Sequence, residues 1–461
     1  MLSRFVAVIV FASQLMLARA APAEPAVQWW VSSSDMSERM STQAPLSFTP
    51  GPSRAKTIIE VDPARTFQTI VGLGSSLEHS TCYNISRLPP EQQEEVVASL
   101  VDPEKGIGMS LMRICMGTPD FTASAWYSYD DLPPGQTDPE MRRFSIAKDR
   151  EYVLPILKLA LRKHAHLKFF ASPWSPPGWM KTNGALCGGA IKPRHFASLA
   201  RYFTKFIEAY EAEGIPVHAV TVQNEPQYAP NTYPTCRWTA GQQRDFIRDH
   251  MGAEFKASGI SAKIWCYDHN FNSPEFPATI LSDVEAARYV EGTAFHHYEG
   301  RPSAMTALHN RFPEKRVYFS EGSVFGIEGA AQIVEFLRNW ACSYNAWVTV
   351  IDRQGQPNPG PHDCSPTCVV LDSEALTLDY RFDYYMYGQF MKFIRPGAVR
   401  VHSSEPKSLP NCAVRNPDGS LVLVVVNRGG QAATFDIQWN DGHLAAKIAG
   451  NSVATYRWRT P

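Results

Sequence analysis

Apolar and polar positions follow two patterns along the chain, one typical of buried strands and one typical of amphipathic helices. The helical pattern, with apolar residues three and four apart, occurs at 151–163, 193–213, 241–257 and 329–340. Apolar runs that alternate with helical stretches occur at 67–73, 110–116, 167–171, 217–222, 262–267, 293–297, 316–319 and 345–351. Eight such strand–helix repeats predict an α/β fold, a (β/α)8 TIM barrel. A doubly wound open sheet is disfavoured, because no Gly-x-Gly-x-x-Gly turn follows an early strand.

The pattern changes after residue 396, where short strand-like runs separated by turns replace the strand–helix repeats. These runs lie at 398–402, 412–415, 421–426, 433–438, 444–448 and 452–458. They predict an accessory β-sandwich, built from the C-terminal region plus N-terminal strands. The predicted division is a signal peptide at 1–20, an N-terminal segment at 21–61 that adds strands to the sandwich, the catalytic barrel at 62–395 and the C-terminal sandwich at 396–461.

The first residues have the pattern of an export signal. Arg4 supplies positive charge, residues 5–17 are mostly apolar, and Ala18-Arg19-Ala20 gives a cleavage site of small residues. A membrane anchor is the alternative, but the apolar run is well short of the ~20 residues that span a bilayer. We therefore expect a secreted or exported protein, periplasmic or extracellular, with no transmembrane segment.

Composition and charge argue against a nucleic-acid partner. The formal net charge is −1, and it becomes about −3 if Arg4 and Arg19 are removed with the signal. The nine cysteines form no paired Cys-x-x-Cys, and His296 and His297 are adjacent on a strand, where side chains point to opposite faces. A zinc site is therefore disfavoured, and no metal is expected.

The cysteines suggest a mixture of buried thiols and one crosslink. Cys115 and Cys266 lie in apolar strands and are expected to be buried thiols. Cys364 and Cys368 flank a short loop and form the pair best suited to a disulfide. Because the total is odd, an exported protein would keep at least one free cysteine or pair it between chains.

Two glutamates carry the most specific chemical signal. Glu225 lies in Thr-Val-Gln-Asn-Glu-Pro at 221–226, and Glu321 in Val-Tyr-Phe-Ser-Glu-Gly at 317–322, each beside a turn residue at the end of a predicted strand. Two carboxyl groups from the ends of the fourth and seventh barrel strands are what glycosidic bond cleavage requires. Glu225 is the candidate acid/base and Glu321 the candidate nucleophile. Each taken alone would more simply be a solvated strand-end carboxylate.

The two carboxyl groups must differ in protonation at the same pH. We expect burial and a negative neighbour to raise the pKa of Glu225, and hydrogen bonds with positive charge to keep Glu321 ionised. Arg113 lies between apolar residues in the second strand, so its guanidinium needs a carboxylate partner, either Glu321 or a structural one. Asn224 is a candidate donor to the sugar 2-hydroxyl, with a turn-forming role as the alternative.

The chain resembles glycoside hydrolase family 30, in its glucosylceramidase-like branch, over nearly the whole mature length. The matching motifs are Gly-Leu-Gly at 72–74, Met-Arg-Ile at 112–114, Asp-Phe at 120–121, Tyr-Ser-Tyr-Asp at 127–130, Ser-Pro-Trp-Ser-Pro at 172–176, Trp-Met-Lys-Thr-Asn-Gly at 179–184, Asn-Glu-Pro at 224–226, Tyr-Pro at 233–234, Gln-Arg-Asp-Phe-Ile at 243–247, His-His-Tyr at 296–298, Ser-Glu at 320–321 and Asn-Arg at 427–428.

The resemblance implies further substrate-binding residues. Asp120 and Trp179 match positions that bind the terminal glucosyl unit, and Trp347 looks like the aromatic floor of that subsite; core packing is the alternative for each Trp. Tyr298 is expected to hydrogen-bond Glu321. His296 is expected to contact the sugar or its neighbours, or else to be a satisfied core histidine. The remaining expectations are Tyr233 at the entrance for the leaving group and Trp174 in the wall rather than on the ligand.

The segment after Trp347 departs from the glucosylceramidase pattern, and such eighth-strand loops shape the entrance of a barrel site. Three hypotheses follow. The first is a retaining β-glucosidase of glucosylceramidase type, acting on a β-glucoside or glycolipid. The second is an endo-β-1,6-glucanase of the same family, acting on a β-glucan. The third is a non-catalytic carbohydrate-binding protein. No cofactor is implied, because two carboxyl groups and water suffice.

Overall fold

The computed structural model describes residues 26–364 and 367–459; the predicted signal peptide at 1–20 lies outside them. The strands are β1 (Ala26–Ser33), β2 (Arg39–Thr42), β3 (Leu46–Ser47), β4 (Thr49–Pro50), β5 (Ile58–Thr69), β6 (Gly72–Gly74), β7 (Leu111–Met116), β8 (Lys168–Pro173), β9 (Val217–Thr221), β10 (Lys263–Asn270), β11 (Val290–His296), β12 (Arg316–Glu321), β13 (Ser343–Asn345), β14 (Val350–Asp352), β15 (Val369–Asp372), β16 (Thr377–Tyr380), β17 (Val399–Ser403), β18 (Asn411–Arg415), β19 (Ser420–Asn427), β20 (Ala433–Trp439), β21 (Gly442–Ile448) and β22 (Ser452–Arg459).

The helices lie mainly between the barrel strands. They are α1 (His79–Ser86), α2 (Pro90–Val101), α3 (Val153–Lys163), α4 (Phe196–Ala212), α5 (Ala240–Phe246), α6 (Gly252–Ala257), α7 (Glu275–Leu281), α8 (Val284–Ala287), α9 (Ser303–Arg311), α10 (Gly326–Arg338) and α11 (Phe382–Met391). Short 3-10 turns occur at Ala147–Arg150, Gly178–Met180 and Pro193–His195, and a π-helical turn at Ile247–Met251 joins α5 to α6.

Strands β6 to β13 close into the predicted parallel barrel. β7 to β12 form one sheet in chain order, and β13 pairs with β6 in parallel. Parallel bridges at Ser76–Arg113 and Val317–Ala341 connect these two sheets. The helices pack outside through their apolar faces; in α4, for example, Leu199, Phe203 and Phe206 are buried.

Two predicted strands are displaced at the point where the barrel closes. The run at 67–73 is divided, because β5 ends at Thr69 in the sandwich sheet and the first barrel strand is only Gly72–Gly74. The run at 345–351 is also divided: β13 ends at Asn345, and β14 belongs to a separate sheet with β15 and β16. Periodicity hid both breaks, because each run continues without a turn motif across the point where the chain passes from one sheet to another.

The accessory sandwich has the predicted composition. Six C-terminal strands, β17 to β22, coincide with the six predicted runs, and β1 to β5 join them in one eleven-stranded sheet. The sheet curves around its own apolar core, which includes Ile59, Leu423, Phe435 and Tyr456. The fold class read from the sequence is therefore confirmed.

The structure also decides the cysteine predictions. Cys115 and Cys266 are buried thiols, as expected. Cys368 carries a free, buried thiol whose Sγ lies 3.5 Å from the carbonyl oxygen of Thr349, so the predicted Cys364–Cys368 disulfide is wrong. Its neighbourhood is an apolar layer beneath β14 and β15, which holds the side chain away from the surface loop. Among the described residues, no helix combines the length and apolarity that crossing a membrane requires.

Candidate active site

Strand alternation builds the floor of the candidate site. The barrel interior holds an apolar layer that includes Leu111, Phe170, Ala219, Ala294 and Tyr318. Side chains two residues further along a strand point to the same interior, one layer closer to the carboxyl ends. Those positions are polar and fully buried, and they are Arg113, Ser172, Thr221, His296 and Ser320. A polar layer therefore lies directly above the apolar layer, at the barrel end where active sites form.

Asp268 occupies the centre of this polar layer. It accepts hydrogen bonds from Arg113 Nη2 at 2.7 Å, Thr221 Oγ1 at 2.7 Å and Ser320 Oγ at 2.6 Å. Ser172 Oγ at 3.0 Å and His296 Nε2 at 3.0 Å complete its partners. Although burial opposes ionisation, the charges of Arg113 and His296 hold the pKa of Asp268 well below its usual value.

Backbone strain marks the same place. Tyr267 and Asp268 have φ values of 74° and 68°, at a bulge that brings Asp268 into the barrel in place of the residue expected from simple alternation. Glu225 has a φ of 46°, and its N–H donates to the carbonyl oxygen of Asp268 at 3.0 Å. Left-handed conformations in non-glycine residues cost of order 1–3 kcal/mol and concentrate at functional sites.

Glu225 and Glu321 face each other above this floor. One carboxylate oxygen of each and a ring nitrogen of His296 all lie within 4.8 Å of one another. Arg113 donates to Glu321 Oε2, and the Tyr298 hydroxyl donates to Glu321 Oε1 at 2.8 Å. His296 Nδ1 lies 3.2 Å from Glu225 Oε1. Glu321 thus has two donors, one of them a cation, and Glu225 has a histidine.

The electrostatics of the pair reverse our sequence expectation. Burial acts to raise the pKa of Glu225, but the hydrogen bond and positive charge of His296, with His269 and Arg113, outweigh it and lower that pKa. The pKa of Glu321 is raised by burial, against the opposing charges of His296 and Arg113. The sequence could not show this, because the outcome depends on His296 lying against Glu225.

His296 is the titratable cation of this cluster. Although burial opposes its charge, Glu321 and Asp268 raise the pKa of His296 to about 9. Arg113 and His296 therefore supply two positive charges against the carboxylates of Asp268, Glu225 and Glu321. With both glutamates ionised, the three carboxylates exceed the two cations by one negative charge, so the site has an electrostatic tendency to take up a proton.

A cavity of about 670 Å³ opens above the pair. Of the residues predicted from sequence, seven line it: Asp120, Asn224, Glu225, Tyr233, Tyr298, Glu321 and Trp347. Arg113 and His296 lie beneath the cavity, where they contact the glutamates; Arg113 Nη2 also donates to Asn224 Oδ1 at 2.9 Å. His296, expected to contact the sugar or its neighbours, is fully buried and contacts Glu225.

The structure places Trp174 in the wall of the cavity, as expected, and places Trp179 away from the cavity lining. Trp179 is not among the lining residues; its indole N–H donates to the Asp130 carboxylate at 3.0 Å. Trp174 directly follows β8 and lines the cavity, with its ring stacked on Trp347 at 4.9 Å and the Arg113 guanidinium 4.9 Å from its centre. Position relative to the strand end explains the difference, since Trp179 lies five residues further along the loop, in a 3-10 turn.

Asp120 has the character of a ligand-binding carboxyl. Within the described residues, its buried Oδ1 has no hydrogen-bond partner. Burial and the charges of Glu321 and Glu225 raise the pKa of Asp120 to about 8. A Cβ added to Gly360 would lie 2.8 Å from Asp120 Cβ, so the loop after the eighth barrel strand packs directly on this residue.

Glu225, His296 and Glu321 also have the spacing of cation ligands. The surrounding contacts do not suit a cation, because both ring nitrogens of His296 and one oxygen of Glu321 already hold charged partners. The arrangement instead suits two carboxyl groups that act on one bond, one protonated and the other ionised.

Comparison with known proteins agrees with this geometry. The Glycosyl hydrolase family 30 TIM-barrel domain matches residues 70–394, and the Glycosyl hydrolase family 30 beta sandwich domain matches 397–456. An endo-1,6-beta-D-glucanase of Neurospora crassa is 32% identical over 456 residues, covering 93% of this chain and 94% of its own length.

Two further relatives have names that specify two different activities. The lysosomal acid glucosylceramidase of Mus musculus is 31% identical over 436 residues, covering 87% of this chain and 83% of its own. A solved endo-beta1,6-glucanase structure superposes with a TM-score of 0.87 at 28% identity, covering 95% of this chain and 100% of that one. This chain, with its barrel, sandwich and facing glutamates, belongs to glycosyl hydrolase family 30 and is a glycoside hydrolase.

Proposed function

We propose that the enzyme hydrolyses a β-D-glucosyl linkage with retention of configuration, through a covalent glycosyl-enzyme. The observation that carries this proposal is the separation of Glu225 and Glu321: one carboxylate oxygen of each lies within 4.8 Å of the other. Retaining glycosidases place these groups about 5–5.5 Å apart, whereas inverting enzymes need about 6.5–9.5 Å to admit water between the sugar and the base.

In the first step, Glu321 attacks the anomeric carbon while Glu225 protonates the leaving oxygen. The bond from carbon to that oxygen breaks as the bond to Glu321 forms. The donors on Glu321, Arg113 and Tyr298, support this assignment, because both stabilise a carboxylate rather than an acid. In the second step, ionised Glu225 takes a proton from water, and the water oxygen displaces Glu321 from the anomeric carbon.

The proton for the first step is available within the cluster. His296 is a cation at neutral pH, and its Nδ1 lies 3.2 Å from Glu225 Oε1. Because the pKa of His296 is the higher of the two, transfer along that hydrogen bond to Glu225 must be coupled to the onward transfer from Glu225 to the leaving oxygen, and it leaves His296 neutral. Loss of the proton to the leaving oxygen restores the carboxylate that the second step needs.

The terminal sugar is held beside the pair. Trp174 and Trp347 offer stacked rings to an apolar sugar face, and Asp120 offers an unpartnered carboxyl oxygen to its hydroxyls. Asn224 is held by Arg113 and lies next to Glu225, where it can contact the 2-hydroxyl. Tyr233 lines the same cavity and packs in one cluster with Trp174 and Trp347.

We propose a β-1,6-linked glucan as the substrate, ahead of glucosylceramide. Support comes from two relatives whose names specify endo-1,6-β-glucanase activity and which cover 93% and 95% of this chain. Glucosylceramide is the second candidate, favoured by the mouse glucosylceramidase at 31% identity. Both substrates place a β-glucosyl unit at the cleaved bond and differ in what leaves.

The stereochemistry is tested by NMR during hydrolysis of an aryl β-D-glucoside. The first product should be the β-anomer of glucose, with the α-anomer appearing only later by mutarotation. Glu321→Gln should lower kcat at least a thousandfold, since the nucleophile is lost, whereas Glu285→Gln on the exposed surface of α8 should not. An α-product formed first would exclude a retaining mechanism.

The substrate is tested by giving the wild-type enzyme a β-1,6-glucan and glucosylceramide in detergent at matched concentration. We expect oligosaccharides from the glucan at the higher kcat/KM. A higher value for glucosylceramide would reverse the order of the two candidates while leaving the retaining mechanism in place.

A further inference from the structure

Three aromatic side chains in contact with one another line the cavity, and we call them the aromatic rim: Tyr228 and His362, which are exposed, and Tyr233, which is buried beneath them. The rings of Tyr233 and His362 meet edge to face at 5.7 Å, and those of Tyr228 and His362 lie 6.3 Å apart. Tyr228 and Tyr233 follow the fourth barrel strand, and His362 follows the eighth. The rim therefore joins loops from opposite sides of the barrel.

The position of the rim relative to Glu225 defines what it can contact. The N–H of Tyr228 donates to the carbonyl oxygen of Glu225 at 2.9 Å, in the turn that carries the proposed acid. Glu225 must touch the oxygen that leaves, so the group attached to that oxygen emerges beside this turn. The rim lies at the leaving-group side of the scissile bond.

Exposure of Tyr228 is unusual for this chain. It is 43% exposed, and across residues 26–364 and 367–459 only Val284 and Tyr298 are other large hydrophobic side chains with comparable exposure. Tyr298 is already engaged with Glu321, and Val284 is an isolated side chain on α8. An exposed aromatic side chain at the mouth of a cavity, in contact with a second ring, is typical of a binding surface.

The neighbouring lining gives the chemical class of the ligand. Gln227, Asn272 and Ser273 line the same cavity as the rim. Amide and hydroxyl groups beside flat rings match a sugar, which has apolar C–H faces and hydroxyls around its edge. Gln227 Oε1 already accepts from the Tyr267 hydroxyl, and Asn272 Nδ2 donates to Glu299. The acyl and sphingoid chains of a ceramide would take the remaining amide and hydroxyl capacity out of water without replacing its hydrogen bonds, at a cost.

We propose that the aromatic rim, with Gln227, Asn272 and Ser273, is the binding site for the sugar unit that leaves with the glycosidic oxygen, so that the enzyme selects a saccharide over a lipid as leaving group. This inference rests on the proposed retaining β-glucosidase activity and adds the determinant of leaving-group choice.

The test compares two substrates that share the terminal glucosyl unit. A β-1,6-linked glucose disaccharide carries a leaving sugar, and β-D-glucosyl fluoride carries only a fluoride ion. Tyr228→Ala and His362→Ala should lower kcat/KM at least tenfold more for the disaccharide than for the fluoride. Tyr228→Phe keeps the ring and should stay within roughly threefold of wild type on the disaccharide. Val284→Ala, on the surface of α8, is the control variant and should leave kcat/KM unchanged for both substrates.

Each outcome decides between the claims. A selective loss on the disaccharide, restored by Tyr228→Phe, supports the rim as the leaving-sugar site. Equal losses on both substrates, or none, overturn it while the glucosidase activity stands. A wild-type enzyme that cleaves neither substrate overturns the proposed function itself, and the leaving-sugar inference with it. Both variants lie at exposed or loop positions, and circular dichroism confirms that each is folded.

Discussion

His296→Gln tests the charge state of the polar layer most specifically. Glutamine retains an amide that can donate to Glu225 or Asp268, but it cannot carry a proton charge. The pKa of His296 rises from the usual 6.5 to about 9 in the folded protein. A group whose folded-state pKa is raised contributes stability that is fully present below pH 6.5 and is lost as the pH rises through about 9.

The magnitude follows from the two pKa values. At about 1.4 kcal/mol for each pKa unit, the difference between 6.5 and about 9 corresponds to about 3 kcal/mol of unfolding free energy. His296→Gln should therefore cost about 3 kcal/mol more at pH 6 than at pH 9. This is an upper value, because protonation of Glu225 in the variant would recover part of it.

The assay is urea unfolding at pH 6 and pH 9, with the free energy of unfolding compared between variant and wild type. His297→Gln is the matched control, since burial lowers the pKa of this adjacent histidine to about 4. His297→Gln should therefore cost about 1 kcal/mol less unfolding free energy at pH 6 than at pH 9, which is the opposite sign. An equal cost of His296→Gln at both pH values would refute a buried histidine cation.

Two further variants test how the site is held. Arg113→Lys keeps the charge but cannot reach all four acceptors of the guanidinium, so unfolding free energy should fall by about 1–3 kcal/mol; an unchanged urea midpoint would contradict the contacts described. Gly360→Ala places a Cβ 2.8 Å from Asp120 Cβ and should raise KM for an aryl β-glucoside by roughly tenfold. Gly430→Ala, where the added Cβ meets nothing within 4 Å, is its control, and an equal KM in both alanine variants would rule out the packing effect.

Sequence patterns predicted most of the fold because strand and helix periodicities are local. The barrel and the sandwich strands follow from alternation, and errors occurred where one predicted run passes from one sheet to another, as between β5 and β6. The facing glutamates can also be predicted from the sequence, because carboxyl groups at strand ends converge in a barrel.

Other parts of the site required three-dimensional contacts. Asp268 is not among the predicted site residues, although Asp-His-Asn follows the predicted fifth strand. A polar residue just after a strand is also what identifies Glu225. Its inward direction depends on a bulge that periodicity does not reveal. Trp174 and Trp179 lie in one loop and are equally plausible from sequence. His362 reaches the mouth through a long loop whose path no local pattern specifies.

The assignment of Glu321 as nucleophile is tested most directly by trapping the glycosyl-enzyme. The wild-type enzyme is treated with a 2-deoxy-2-fluoro-β-D-glucosyl donor that has a fast leaving group, digested and mapped by mass spectrometry. We predict one fluoroglucosyl adduct, on the peptide and side chain of Glu321, with no adduct in Glu321→Gln. An adduct on Glu225 would exchange the two roles, and an active enzyme that forms no adduct would contradict the covalent mechanism.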